Sequence, residues 1–208
     1  MSVWPWSDVV SYTLRYIRPQ GKILNVLELG CGAGANIPFF LNLKTNYFGI
    51  DGSQLIVKQL QKRYPIIKTH ITAGDFTKEI PFNEKFDLIL DRAALTHNTS
   101  GAIAYCVNHL IKKILKKGGS FIGLDWFSTK HSDYLKGQIV GKDQYSRTNY
   151  LKGQFSGLGI VHFTNKSQIM KIFKDFKIEV LEHKINKRVI PSNSRGIFAS
   201  WNILAVKK

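Results

Sequence analysis

Glu28, Gly30, Gly32 and Gly34 fall within Val26-Leu27-Glu28-Leu29-Gly30-Cys31-Gly32-Ala33-Gly34, and Asp51 closes a second apolar run, Tyr47-Phe48-Gly49-Ile50. One apolar run stops in a glycine-rich turn and the next stops in an acid. That pair is built to hold a nucleoside-containing cofactor at the carboxyl ends of two parallel strands. Glycines let the backbone approach a ligand closely and take up positive φ without steric cost. Cys31 and Gly32 lie on the turn itself, and Gly52 follows the acid. Asp51 offers two acceptor oxygens to a ribose diol. The segment from Gly30 to Ala35 also fits the dinucleotide pattern GxGxxA, which leaves a nicotinamide-dependent oxidoreductase open. Glu28 argues the other way. It stands two residues before the first glycine, where a dinucleotide fold continues with an apolar strand residue, and its carboxylate can meet a cationic amino group.

Further along come Ala73-Gly74-Asp75-Phe76, Phe86-Asp87-Leu88-Ile89-Leu90-Asp91-Arg92 and Leu115-Lys116-Lys117-Gly118-Gly119-Ser120-Phe121. With this ordered set, residues 24–125 resemble the class I methyltransferases that depend on S-adenosylmethionine (SAM). The resemblance implies an α/β fold, a Rossmann-like doubly wound seven-stranded sheet of order 3-2-1-4-5-7-6 with strand 7 antiparallel. It also implies that Glu28 and the glycine turn (Gly30, Cys31, Gly32) hold the methionine part. Asp51 and Gly52 then meet the ribose, Asp75 and Phe76 flank the adenine, and Asp91 borders the cofactor. The segment Asp91-Arg92-Ala93-Ala94-Leu95 is similar to one in thiopurine, tellurite-resistance and related small-molecule methyltransferases. Carried over, Arg92 meets an anionic or polar acceptor, Asp91 positions it, and His97 serves as general base at neutral pH. Structural alternatives stand beside these roles: an ion pair of Arg92 with Asp91 or Asp75, and a helix-capping His97. The chain lacks the Asn/Asp-Pro-Pro-aromatic motif of enzymes that methylate base amines, which weighs against a nucleic-acid substrate.

Periodicity places the elements that must position these groups. Helices are expected over 7–16 (about 5–17 with its flanks), 36–43, 53–63, 103–116 and 165–173, with Ser7 and Ser53 as N-caps and Pro19 past the first helix. The fourth helix should end at Gly118-Gly119. Strands are expected over 24–29, 47–50, 66–71, 86–90, 120–124, 177–183 and 200–205. Strands alternating with helices predict a parallel sheet covered on both faces, in a single domain over 1–208. Residues 130–161 show little periodicity and follow the fifth strand, where ligands bind. They read as a substrate lid with His131, Asp133, Tyr134, Tyr145, Arg147 and Tyr150 as contacts, His162 lying just beyond. Trp4, Trp6 and Tyr12 are candidates for closing over the cofactor.

Composition bounds the partners. No apolar run reaches a membrane span and no signal segment is read, so a cytoplasmic protein is expected. Cys31 and Cys106 read as small buried thiols, and six scattered histidines offer no metal-ligand spacing. The net formal charge is +16. Residues 1–104 carry 11 Lys/Arg against 8 Asp/Glu, whereas residues 105–208 carry 19 against 6. A cationic back half favours an anionic acceptor, or is a solvated lysine surface. The expected function is methyl transfer from SAM to an O or N atom of a small anionic metabolite; precursors of surface polysaccharides are consistent with the charge. An RNA methyltransferase and a non-catalytic SAM-binding regulator are the alternatives.

Overall fold

The computed structural model describes residues 4–17, 21–190 and 196–208. Pro19 lies outside them. The strands are β1 (Asn25–Leu29), β2 (Asn46–Asp51), β3 (Ile71–Ala73), β4 (Phe86–Arg92), β5 (Leu115–Phe127), β6 (Gln138–Val140), β7 (Asp143–Thr148), β8 (Val161–His162), β9 (Phe176–Lys187) and β10 (Ile197–Lys207). Seven of them form one sheet in the order β3-β2-β1-β4-β5-β10-β9, and β6-β7-β8 form a second. The large sheet is parallel from β3 to β5, and β10 runs antiparallel to β5 and β9. Numbered within the sheet alone, this is the expected order, 3-2-1-4-5-7-6 with the last strand reversed.

The central strands are apolar on both faces because both faces are covered. Leu27, Phe48, Ile89 and Phe121 pack with Ile103, Val107 and Ile111 on one side. Val26, Tyr47, Leu88 and Ile122 pack with Ile37, Phe40, Val57 and Leu60 on the other. The first side is covered by α4 (residues 100–114, widened into a π segment at Cys106–Ile111) and by α5 (Lys166–Ile172). The second is covered by α1 (Ser7–Tyr12), α2 (Ile37–Asn42) and α3 (Gln54–Arg63). Thr99 and Ser53 cap α4 and α3 through their side-chain oxygens.

Several expected boundaries are corrected. Ser7 is the first helical residue rather than the cap. Residues 65–70 are a 3₁₀ segment opened by Pro65, with Ile66 turned to solvent, and the third strand begins only at Ile71. The fourth helix ends at Ile114, before Gly118-Gly119, which instead shape a register break in β5. Residues 130–161 are not irregular: they hold the small antiparallel sheet β6-β7-β8 around a core of Phe127, Tyr150, Phe155, Val161 and Phe163.

Candidate active site

The carboxyl ends of β1, β2, β3 and β4 meet at a cleft of about 700 Å³ lined by Gly30, Asp51, Gly52, Asp75, Phe76, Arg92 and His97, together with Gly74, Ala93, Ala94 and Asn98. The volume is that of a small-molecule site. Gly30 takes φ +67°, and a Cβ there would stand 2.3 Å from the Ala94 Cβ, so this position excludes a side chain on two counts. Gly52 faces open space, as a Cβ there would meet nothing within 4 Å. Asp51 fixes the turn as well as facing the cleft: one oxygen accepts from the Gly32 amide (2.8 Å), the other from Ser53 (2.9 Å). Each oxygen keeps a second lone pair for a ligand hydroxyl. Asp75 pairs with Lys78 and accepts from Thr77, and stays half exposed at the rim.

Glu28 is buried at the end of β1. Its two oxygens accept from Asn36 Nδ2 (2.7 Å) and from the Tyr47 hydroxyl (2.6 Å). The second bond exists because Gly49 lies opposite Glu28 in the sheet register: a Cβ on Gly49 would come within 3.2 Å of the Tyr47 oxygen. Burial pushes the Glu28 pKa up to about 7, partly offset by these two donors. Such an acid, desolvated and held ready to ionise, suits a cationic amino group. Asn36 also accepts from the Trp6 amide (3.1 Å), tying the N-terminal segment to the glycine turn. Tyr47 and Asn36 were missed in the sequence; a Tyr-x-Gly on the strand beside a buried Glu is the signal that finds the first.

Cys31 leaves the cleft. Its amide donates to the Ile50 carbonyl (3.2 Å), and its thiol is buried against β2, where burial pushes its pKa upward. Asp91 is also withdrawn. Fully buried, it accepts from the amides of Ala94 (3.1 Å) and Leu95 (2.9 Å) and from the Trp126 indole (2.6 Å). These bonds hold Ala93 at φ 57°, the left-handed region that a side chain disfavours, and so shape the cleft wall.

Arg92 reaches the cleft with its charge already met. Its Nη2 donates to Asp125 (2.9 Å), its Nε faces Asp8 (3.5 Å), and its guanidinium lies 3.7 Å from the Trp6 ring centroid. The ion-pair alternative therefore describes Arg92, with Asp125 and Asp8 in place of Asp91 and Asp75. Burial raises the pKa of Asp125, but Lys184 and Arg92 outweigh it and hold the carboxyl below its usual range. Tyr12 is buried, its hydroxyl bonded to Glu182, and Trp4 is exposed.

His97 sits at the cleft mouth. Its Nδ1 lies 3.3 Å from the Ile160 carbonyl; a carbonyl only accepts, so Nδ1 carries the proton and Nε2 holds the lone pair. Desolvation lowers its pKa, which keeps the ring neutral. The lid candidates are not brought to the cleft. His131 (bonded to the Asp133 amide and Gln154) and Tyr150 (hydroxyl to the Asp133 carbonyl) are buried in the core of the 130–161 insertion. Arg147 is buried over the Tyr134 ring and donates to the Gln144 and Ser146 carbonyls, while the Tyr134 hydroxyl donates to Gln144. The insertion spends these groups on its own structure because so few apolar residues are available to it.

By sequence, residues 26–119 match the model of a methyltransferase domain family. Over those residues the chain is similar to a methyltransferase domain. The methyltransferase fold recurs across the whole chain in solved structures. A SAM-dependent methyltransferase from Methanosarcina mazei is 15% identical, with 98% of each chain covered and a TM-score of 0.71. TehB from Haemophilus influenzae is 17% identical, with 98% of this chain and 63% of that one covered and a TM-score of 0.65. The magnesium protoporphyrin IX methyltransferase from Synechocystis, with bound SAM, is 14% identical, with 97% and 77% covered and a TM-score of 0.60. At these identities the likeness speaks for the fold. No curated protein sequence matches the chain at a significant level. The residues present fit SAM: a buried acid for an ammonium, a positive-φ glycine turn, and an acid with free lone pairs for a diol. Among the described residues, no helix is long and apolar enough to cross a membrane, and no three His, Cys, Asp or Glu are grouped to hold a metal ion.

Proposed function

We propose that the whole chain acts as one domain that transfers the methyl group of SAM to an O or N atom of a small, anionic acceptor. The observation that carries this is the convergence of Gly30 of the glycine turn, Asp51, Asp75 and His97 on one cleft beside the carboxyl ends of parallel strands, with Glu28 buried at the end of β1 behind the turn. In this reading Glu28 meets the ammonium, Asp51 the ribose hydroxyls, and Asp75 with Phe76 the adenine. SAM supplies a methyl group already activated on sulfonium, so the protein's work is alignment and exclusion of water. His97 takes the acceptor's proton at Nε2 while Ile160 holds Nδ1–H, fixing the tautomer. Arg92, gripped by two carboxylates and stacked on Trp6, forms a rigid wall between the cofactor cleft and the N-terminal segment. The cationic back half supports an anionic acceptor.

Titration calorimetry with SAM and S-adenosylhomocysteine tests the reading. Micromolar binding is expected, together with formation of S-adenosylhomocysteine from SAM when an acceptor is supplied. Asp51→Ala should weaken binding at least tenfold, as a charged hydrogen bond contributes roughly 1.5–3 kcal/mol. Tight NADH binding without SAM binding would overturn the assignment, and SAM binding with no turnover of any acceptor would favour a regulator.

A further inference from the structure

A second cleft, of about 920 Å³, opens between α4, β7 and α5. It meets the cofactor cleft along the chain: His97 and Asn98 line one, Thr99 and Ser100 the other. Its one carboxylate is already occupied. Asp143 accepts from the Ser100 amide and hydroxyl (2.7 Å each), the Ser146 hydroxyl (2.7 Å) and the Tyr145 amide (3.1 Å). Burial raises its pKa, but these donors outweigh that and hold it ionised. Asp143 keeps its negative charge, since its donors are neutral, and against it stand three exposed lysines: Lys142 in the β6–β7 turn, Lys171 in the last turn of α5, and Lys174 just beyond. None of the three forms an ion pair with a described residue; Asp175, next to Lys174, is taken by Lys112 (2.6 Å). Gly101, in the first turn of the fifteen-residue α4, faces open space, since a Cβ there would meet nothing within 4 Å. Three cations against one carboxylate around a polar cleft form a setting for phosphate oxygens.

We propose that this second cleft binds the phosphate group or groups of a small phosphorylated metabolite, with Lys142, Lys171 and Lys174 supplying the charge. Calling that metabolite the methyl acceptor rests on the function proposed above; the binding itself does not. Arg92 cannot fill this role, because Asp8 and Asp125 already neutralise it. The anionic preference inferred from overall charge is thereby moved from the cofactor cleft to its neighbour.

The test is calorimetry of tripolyphosphate titrated into the full chain saturated with S-adenosylhomocysteine. One saturable site is expected. Lys171→Gln/Lys174→Gln should weaken it at least tenfold, and so should Gly101→Asp. That second variant adds a carboxylate to the open first turn, where it favours the helix while repelling phosphate, so loss of binding is not loss of fold. Lys58→Gln/Lys62→Gln, on α3 across the sheet, should leave it unchanged. Absence of saturable binding, or equal weakening in the α3 variant, overturns the proposal. So does binding of a single-stranded RNA oligonucleotide without binding of tripolyphosphate. Affinity for S-adenosylhomocysteine, measured on the same samples, tests the methyltransferase reading separately.

Discussion

Glu28 and Tyr47 form the pair on which cofactor affinity should depend most sharply. Burial raises the Glu28 pKa to about 7, so near neutrality the free protein holds it partly protonated, and an arriving ammonium must drive the proton off. SAM affinity should therefore rise as pH goes from 5.5 to 7.5. The Tyr47 hydroxyl stabilises the ionised acid, so Tyr47→Phe raises the Glu28 pKa further. The rise should then shift to higher pH, with affinity at pH 7 falling about tenfold, in line with ~1.5 kcal/mol for a hydrogen bond to a charged group. A pH series of calorimetric titrations checks this; an unshifted profile would mean that Glu28 does not face the ligand's charge. Arg92 makes the opposite case, a residue that the motif nominates for acceptor capture and the fold enlists for structure. Arg92→Ala leaves Asp125 with Lys184 and the Ser200 hydroxyl and removes the side-chain partner of Trp6 and Asp8. A loss of roughly 1–3 kcal/mol is expected by thermal or denaturant unfolding, with SAM affinity changed less. Arg92→Lys should recover little, because lysine cannot face two carboxylates and an indole at once.

The insertion is pinned to the main sheet by a short polar chain. Asp143 on β7 takes the Ser100 amide and hydroxyl at the start of α4, and His162 on β8 lies against Ser146 (3.1 Å). Burial depresses the His162 pKa to about 4, below its ordinary value near 6.5. A histidine depressed on folding contributes stability above its unfolded pKa and loses it as pH falls toward the folded value. Acidification from pH 6.5 to 4 should therefore cost up to about 3 kcal/mol at this site. His162→Gln, which cannot titrate, should flatten the slope of stability over that window in denaturant unfolding; an unchanged slope would place the acid sensitivity elsewhere. The same element shows why its site candidates misled. His131, Arg147 and Tyr150 look like ligand contacts in an aperiodic stretch, yet each satisfies a backbone or side-chain partner within the insertion. Polar residues buried by pairing with groups one to twenty-three positions away leave no periodic trace.

Across the molecule, ligand binding and folding are one equilibrium. Saturating S-adenosylhomocysteine at a hundred times its dissociation constant should stabilise the fold by about 2.7 kcal/mol, raising the melting midpoint by roughly 5–10 °C. At a fixed ligand concentration the increment should be larger at pH 7.5 than at pH 6, because Glu28 must ionise; scanning calorimetry at the two values decides it. What was legible from the residues alone is local or periodic. The glycine turn and Asp51 announce themselves because positive φ and close approach leave few alternatives to glycine. The α/β class follows from apolar runs alternating with amphipathic helices, and the sheet order came from the motif resemblance. Only the tertiary structure brings Tyr47 over Gly49 to Glu28, joins Asn36 to Trp6, and sets Arg92 against Asp125, thirty-three residues away. It also separates a cleft whose arginine is already neutralised from a lysine-rimmed neighbour. These are matters of which polar groups meet when strands pair and helices dock. A charge's partner is set by distance in space, and sequence order carries almost none of that.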